Sequence, residues 1–147
     1  MTSKKKIFGS PKGWVKKHID EYVESEGKKG HRWSGYPALL LTTRGRKSGK
    51  LRRTALIYGQ DGDNYLVVAS NGGAPKHPLW YLNLVEDPEV EIQVGADKFN
   101  ARARTATPKE KPRLWKLMNK IYPPYDSYQV RADKAGRDIP VVILERS

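Results

Sequence analysis

Two alternating segments near the middle of the chain constrain its fold more than any other feature. Val90, Ile92 and Val94 alternate with polar residues, and beyond a turn at 95–98 the same alternation continues over residues 99–104. A period of two is typical of a half-buried strand, and two such strands joined by a short turn form a hairpin. The pattern therefore predicts antiparallel pairing here.

Four further segments have the composition of strands. They span residues 37–43, 53–58, 65–70 and 139–144, and Asp61–Asn64 forms a tight turn before the third of them. Because most of these strands follow one another at hairpin spacing, the sequence favours an antiparallel barrel of about six strands over a βαβ sheet. The fold class is α+β, mainly β.

Three helices are predicted around these strands. The first begins after Ser10 and ends near Gly27, the second spans 78–85, and the third follows a capping box at Thr107–Glu110 and extends to Ile121. The first helix is amphipathic and covers the barrel. Contact with a membrane or its quinone pool through its Trp14 and lysines is the alternative.

The composition limits both the architecture and the chemistry. A chain of 147 residues normally makes one domain, here 10–147, preceded by a basic arm at 1–9. The absence of cysteine excludes disulfides, thiolate metal sites and cysteine nucleophiles. No apolar stretch reaches the roughly 18 residues that a membrane span needs, and no apolar segment of a secretory signal follows the basic arm. A cytoplasmic location, with peripheral membrane contact as an option, is expected.

The net charge of +12 favours an anionic partner, whether nucleic acid, anionic lipid or a phosphorylated small molecule. Six of the basic residues lie between Arg44 and Arg53, in the segment TTRGRKSGKLRRT between two predicted strands. Gly45 and Gly49 would let backbone N–H groups form an anion nest, and Arg46 and Arg52 can each grip a phosphate or carboxylate through two hydrogen bonds. This basic loop is the leading candidate for an anion site.

Other interpretations of the basic loop are weaker or remain open. It is not a phosphate-binding loop of the Walker type, because three residues and not four separate its two glycines and because Lys50 is followed by leucine. A merely solvated hairpin remains possible. Nucleic-acid binding is disfavoured, because aromatic and basic residues do not alternate along the strands.

A second segment, ASNGGAPKHPLWYLNL over residues 69–84, combines a strand end, a glycine pair and a helix start. Such a loop lets the backbone approach a flat ring, with Ser70 and Asn71 as hydrogen-bonding residues at the ring edge. The simpler interpretation is a connector whose glycines serve only the turn. His77 is expected to be a loop residue and not a general base, and no histidines have metal-ligand spacing.

These two segments resemble those of the deazaflavin-dependent nitroreductase and quinone reductase family, whose members use coenzyme F420. The resemblance extends over nearly the whole chain and implies a split β-barrel related to the FMN-binding barrels. It implies that the basic loop binds the phosphate and oligoglutamate tail of the cofactor, and that the second segment holds the deazaflavin ring. The implied cofactor-binding residues are Arg46, Lys47, Ser48, Arg52, Arg53, Thr54, Ala55, Leu56, Ile57, Val68, Ala69, Ser70, Asn71, Leu79, Trp80, Tyr81, Leu82 and Asn83.

The resemblance also implies an acceptor site. Tyrosines in the position of Tyr122, Tyr125 and Tyr128 cover that site in the family, and their phenols could orient an electrophile or relay a proton through Ser70. The expected reaction is hydride transfer from reduced deazaflavin to a quinone or nitroaromatic acceptor, such as a nitroimidazole. Packing of the tyrosines on the barrel, FMN as the cofactor, and a non-catalytic protein that binds deazaflavin or nucleic acid are the alternatives.

Overall fold

The computed structural model describes residues 7–8, 13–25, 32–33 and 36–147. Nine strands lie in these ranges: β1 Ile7–Phe8, β2 Arg32–Trp33, β3 Tyr36–Arg44, β4 Leu51–Ile57, β5 Gly59–Asp61, β6 Asn64–Val68, β7 Glu89–Val94, β8 Asp97–Thr105 and β9 Val141–Arg146. The four described helices are α1 Gly13–Glu24, α2 Leu79–Glu86, α3 Lys111–Ile121 and α4 Pro124–Asp133.

The sheet closes because one continuous segment belongs to both of its ends. The strand order is β1-β4-β3-β7-β8-β9-β6-β5, with β2 beside β3. Only Tyr58 separates β4 from β5, so the chain pairs with β3 along its first half and with β6 along its second. Apart from the parallel pair β1·β4, every neighbouring pair is antiparallel. The predicted antiparallel barrel is confirmed, with nine strands in the described ranges where about six were predicted.

Alternation along the strands divides the apolar residues between the two surfaces of the barrel. Leu39 and Leu41 contribute to the interior core with Val67 and Ile92, whereas Leu40 faces outward and packs against α1. In the same way Leu66, next to Val67, lies in the cluster that α3 and α4 cover. This division follows from the period-two geometry of a strand.

Helix α1 is fastened to the barrel by one buried tyrosine. The hydroxyl of Tyr22 lies 3.0 Å from the Ala38 carbonyl and accepts the Gly95 N–H at 2.6 Å. Burial raises the pKa of Tyr22 to about 12, so the phenol stays protonated and serves as a structural hydrogen bond.

Most predicted elements are confirmed, although the short strands β1, β2 and β5 were not predicted and two of the helices differ. The predicted helix at 78–85 is α2, and the predicted capping box exists, since Thr107 N–H donates to Glu110 Oε1 at 3.0 Å and Glu110 N–H to Thr107 Oγ1 at 3.2 Å. However, the residues after Thr107 form turns, and α3 begins only at Lys111. Helix α4 was not predicted.

The start and end predicted for the first helix, and the basic arm except for the backbone of β1, lie outside the described residues, as do the side chains of Trp14 and the lysines beside it. The single-domain interpretation stays a prediction. Within the described part of the chain, no helix is both long and apolar enough to cross a membrane.

Candidate active site

The turn of the basic loop, residues 45–50, joins β3 to β4 and is closed by its own backbone. Gly45 N–H donates to the Lys50 carbonyl at 2.7 Å, and Gly49 N–H donates to the Gly45 carbonyl at 2.8 Å. The guanidinium of Arg44 reaches the Gly49 carbonyl at 2.8 Å. Gly49 has a φ of +70°, a left-handed conformation that glycine adopts without a steric cost. The loop is therefore held in one shape by its own hydrogen bonds.

The predicted anion nest is wrong for four of the backbone amides in this loop. The N–H groups of Gly45 and Gly49 are used within the loop, that of Lys50 donates to Ser48 Oγ at 3.2 Å, and that of Arg46 donates to Asn83 Oδ1 at 3.2 Å. Those four donors are already bound to protein acceptors. The loop therefore offers an anion mainly its charged side chains and the hydroxyl of Ser48.

Asn83 joins the basic loop to α2. Its side chain is buried, with 7% exposed, and it also donates from Nδ2 to Thr43 Oγ1 at 3.3 Å. The resemblance implied that Asn83 completes the ring pocket. Both ends of its amide contact the protein, so Asn83 links the loop to the strand that precedes it and to the helix that follows the Gly-Gly turn. Its place in the ring pocket stays a prediction.

The cations of the basic loop point into solvent. Arg46 and Lys47 are exposed, and neither has an ion pair among the described residues. Arg53, by contrast, is half-buried, with Nε donating to Thr42 Oγ1 at 3.3 Å, and Arg44 lies 3.8 Å from Asp87. Arg46 and Lys47 are thus the cations most available to an anionic ligand.

Strand β4, which contains Arg53 to Ile57, has side chains on both of its faces. Ala55 packs against the cluster under α1, whereas Leu56 packs against the interior core. Since neighbouring strand residues point to opposite faces, the five side chains from Arg53 to Ile57 are divided between two surfaces.

The second segment leaves β6 at Val68 and turns sharply. Asn71, Gly72 and Gly73 form a short 3-10 turn with φ values of +48°, +64° and +78°. The Asn71 amide donates to the Lys76 carbonyl at 2.9 Å and so closes the loop. Ser70 precedes this turn without capping it through its side chain, which leaves its hydroxyl available.

Gly73 brings α4 directly against this turn. A Cβ on Gly73 would lie 2.5 Å from the Tyr128 carbonyl oxygen and 2.9 Å from Arg131 Cβ, too close for any side chain. The Arg131 guanidinium also donates to the Gly72 carbonyl at 3.3 Å. The Gly-Gly turn and the tyrosine segment, about fifty residues apart in sequence, are therefore in contact.

The three predicted tyrosines form one cluster at the junction of α3 and α4. The hydroxyls of Tyr122 and Tyr128 are 3.1 Å apart, and the ring of Tyr125 meets that of Tyr122 edge-on at 4.9 Å. Tyr122 and Tyr128 are half-buried, but Tyr125 is only 5% exposed and packs with the core beneath α3 and α4. Tyr36, which the sequence did not suggest, joins them with its ring 4.9 Å from that of Tyr122.

The phenols of Tyr122 and Tyr125 remain protonated at neutral pH. The hydrogen bond with Tyr128, together with burial, raises the pKa of Tyr122 to about 12. Burial raises the pKa of Tyr125 as well. The hydroxyls of Tyr122 and Tyr125 are therefore donors or acceptors of hydrogen bonds and not phenolates.

Helix α2 contributes aromatic residues that contact His77 of the Gly-Gly segment and the barrel. Tyr81 lies with its ring 4.9 Å from His77 and its hydroxyl 2.8 Å from Thr105 Oγ1, and Trp80 packs against the interior core. Leu82 is half-buried, whereas Leu79 is 71% exposed. Leu79 therefore has little contact with the protein itself.

Arg137 is a site residue that the sequence analysis missed. It follows α4 in the chain, is 7% exposed, and donates to carbonyls of the Gly-Gly loop at Ala69 and Ala74, at 3.1 and 2.8 Å. A lone arginine in a basic sequence carries no local signal for such a role.

Comparison with known proteins agrees with this geometry. The profile of the F420H(2)-dependent quinone reductase family matches residues 14–146. An F420H(2)-dependent quinone reductase of Mycobacterium tuberculosis is 40% identical over 146 residues, covering 90% of this chain and 96% of the relative. A solved F420-H2 dependent reductase has a TM-score of 0.67 at 43% identity, covering 74% of this chain and 94% of that one. A structure described as a domain-swapped dimer has a TM-score of 0.70 at 38% identity, covering 92% of this chain and 100% of the other.

The split-barrel fold and these similarities thus define a cofactor-dependent reductase. The chain belongs to the F420H(2)-dependent quinone reductase family. It is an oxidoreductase that depends on reduced coenzyme F420.

Proposed function

We propose that the protein transfers a hydride from reduced coenzyme F420 to a quinone, and that the basic loop and the tyrosine cluster hold the two reactants. One observation carries this proposal. Asn83 fixes the basic loop, and Arg46 and Lys47 on that loop are exposed and have no ion pairs among the described residues. A pre-shaped cluster of available cations fits a ligand with several negative charges.

The tail of the cofactor would lie on this loop. Arg46 can form two hydrogen bonds to a phosphate or carboxylate, Lys47 adds a point charge, and the Ser48 hydroxyl can still donate a hydrogen bond while its oxygen accepts the Lys50 N–H. Arg52, exposed at the start of β4, lies at the base of the same loop and extends the charged surface. The donor set therefore fits the phosphate and carboxylates of the cofactor.

The ring would lie against the Gly-Gly loop and the start of α2. Val68 and Ala69 end the buried strand there, and Trp80 offers an apolar ring. Ser70 and Asn71 stand at the sharp turn, where the Ser70 hydroxyl, which does not cap the turn, would reach the ring edge. Tight packing of the loop against α4 at Gly73 limits its movement, which favours a fixed orientation of a bound ring.

Bound coenzyme F420 in its reduced form supplies the hydride, so the protein needs no nucleophile of its own. The half-buried hydroxyls of Tyr122 and Tyr128 would orient the acceptor carbonyl by hydrogen bonds. With a pKa of about 12, Tyr122 donates a hydrogen bond without losing its proton at neutral pH. Tyr125 would support this pair from below, because its ring is buried against them.

The overall reaction needs one hydride and one proton for each quinone reduced to a hydroquinone, and reduced coenzyme F420 gives up both. Ser70 and the tyrosine hydroxyls are the groups proposed to pass the proton to the quinone oxygen. Flat, electron-poor nitroaromatics are a second acceptor class, since the hydroxyls of Tyr122 and Tyr128 would hydrogen-bond to the nitro oxygens as they would to a quinone carbonyl.

The experiment mixes the protein with reduced coenzyme F420 and menadione and follows the return of the visible absorption of the oxidised cofactor. The proposal predicts turnover that Tyr122→Phe and Tyr128→Phe each reduce. Tyr65→Phe is the matched control, because Tyr65 packs against Tyr58 and Phe99 in the barrel. Turnover that is unchanged in both cluster variants would refute the role of the tyrosines. A protein that binds the oxidised cofactor yet reduces no quinone would refute the proposed reaction.

A further inference from the structure

The Gly-Gly loop, residues 69–77, is wrapped around a single guanidinium group. Arg137 donates from Nε to the Ala74 carbonyl at 2.8 Å, from Nη1 to the Ala69 carbonyl at 3.1 Å, and from Nη2 to the Ser70 carbonyl. These acceptors lie on both sides of the 3-10 turn. One side chain therefore joins the two ends of the loop, and it does so from the segment between α4 and β9.

A fourth contact determines the protonation of His77. Arg137 Nη1 lies 2.8 Å from His77 Nδ1. A guanidinium can only donate, so Nδ1 must accept, and the single ring proton must be on Nε2. A proton added to Nδ1 would place two donors and two positive charges against each other. The contact exists only while His77 is neutral.

We propose that Arg137 and His77 are a positioning pair that holds the Gly-Gly loop in its ligand-binding shape, and that protonation of His77 in mild acid releases it. What the loop binds rests on the proposed function, whereas the pair itself rests on the contacts above. Neither residue is proposed to touch the reacting atoms. Arg137 acts through the loop carbonyls, and His77 acts through Arg137.

The surroundings of His77 support the neutral form. Arg137 faces it from the segment after α4, and the ring of Tyr81 faces it from α2 at 4.9 Å, while no carboxylate pairs with it in the described part of the chain. Burial, and secondly the charge of Arg137, lower the pKa of His77 below its ordinary 6.5. The contact is thus fully present above that ordinary pKa and is lost as the pH falls through the lowered value.

The test compares the wild type with His77→Asn and His77→Phe. Asparagine presents Oδ1 near the position of Nδ1 as an acceptor that cannot be protonated in this range, whereas phenylalanine removes the acceptor. Dissociation constants for oxidised coenzyme F420 are measured between pH 7.5 and 5. We expect wild-type affinity to fall about ten-fold, the scale of one charge-assisted hydrogen bond, and His77→Asn to stay nearly flat. His77→Phe should be weak throughout. A parallel fall in His77→Asn would overturn the proposal.

Two readouts test the pair without any cofactor. Nitrogen-15 NMR of the His77 ring should show the Nε2–H form at neutral pH, and a predominant Nδ1–H form would contradict the contact. Hydrogen exchange of the amides at 69–77, compared with His77→Asn at the same pH, should become faster in the wild type in acid. Equal exchange in both would also contradict it. If these readouts hold and coenzyme F420 does not bind at all, the proposed function fails while the positioning pair stands.

Discussion

The packing of α4 on the Gly-Gly turn predicts how much alanine at Gly72 or at Gly73 lowers the free energy of unfolding. Gly72 and Gly73 have similar left-handed φ values of +64° and +78°, so alanine at either position pays about 1–2 kcal/mol for the backbone conformation. They differ in surroundings. Nothing lies within 4 Å of a Cβ on Gly72, whereas a Cβ on Gly73 would lie 2.5 Å from the Tyr128 carbonyl oxygen and 3.0 Å from Tyr128 Cα.

A contact with helix backbone cannot be relieved by a side-chain rotation, so α4 must move. Such overpacking costs about 1–3 kcal/mol. We therefore expect Gly73→Ala to lower the free energy of unfolding by about 2–5 kcal/mol and Gly72→Ala by about 1–2 kcal/mol. The measurement is urea unfolding followed by circular dichroism. Because α4 holds Tyr128, Gly73→Ala should also raise the KM for the quinone. Equal destabilisation by the two substitutions would refute the proposed close approach.

Three further predictions test other contacts. Asn83→Ala removes the hydrogen-bond partner of Arg46 N–H and of Thr43, so it should lower the free energy of unfolding by about 1–3 kcal/mol and weaken coenzyme F420 binding. Urea unfolding and fluorescence titration measure the two effects. Unchanged binding would contradict the positioning role. Glu110, whose pKa the Arg104 hydrogen bond lowers to about 2 from 4.5, should stabilise the fold above pH 4.5 and lose that effect as the pH falls through 2. Glu110→Gln should flatten the dependence of Tm on pH in that window, and an unaltered slope would exclude the ion pair. Tyr125→Leu removes the ring that packs against Tyr122 and Tyr128, so it should lower turnover more than cofactor affinity in steady-state and binding assays. Equal losses would place Tyr125 in the cofactor site.

Local pattern was sufficient to predict most of the barrel. The alternation of apolar and polar residues, together with the composition of the turn, predicted the β7–β8 hairpin. The period-two pattern of a half-buried strand is visible in the sequence of that strand alone. Strand β5 was missed because Gly59–Asp61 is short and polar. Helix α4 was missed because it buries few residues, with Tyr125 and Ala132 the two that are fully covered, and so lacks an apolar stripe.

The sequence predicted the charged residues of the candidate site, but not the contacts between its segments. The density of cations around Arg46 is a local property and was visible in the sequence. The bond from Arg46 N–H to Asn83 joins residues 37 positions apart, and the contacts of Arg137 with Ser70 join residues 67 positions apart. Such contacts depend on how the closed barrel brings its loops together, and neither composition nor periodicity encodes them.

The central claim is that the basic loop binds the charged tail of the cofactor. The most direct measurement compares the dissociation constants of complete coenzyme F420 and of its deazaflavin head without phosphate and glutamates, for the wild type, Arg46→Ala, Lys47→Ala and the control Lys116→Ala, an exposed cation of α3. We expect the wild type and Lys116→Ala to prefer the complete cofactor, and each loop variant to lose about 1–3 kcal/mol of that preference. Raised salt should reduce the preference in the same direction. A preference that survives unchanged in both loop variants would contradict the account.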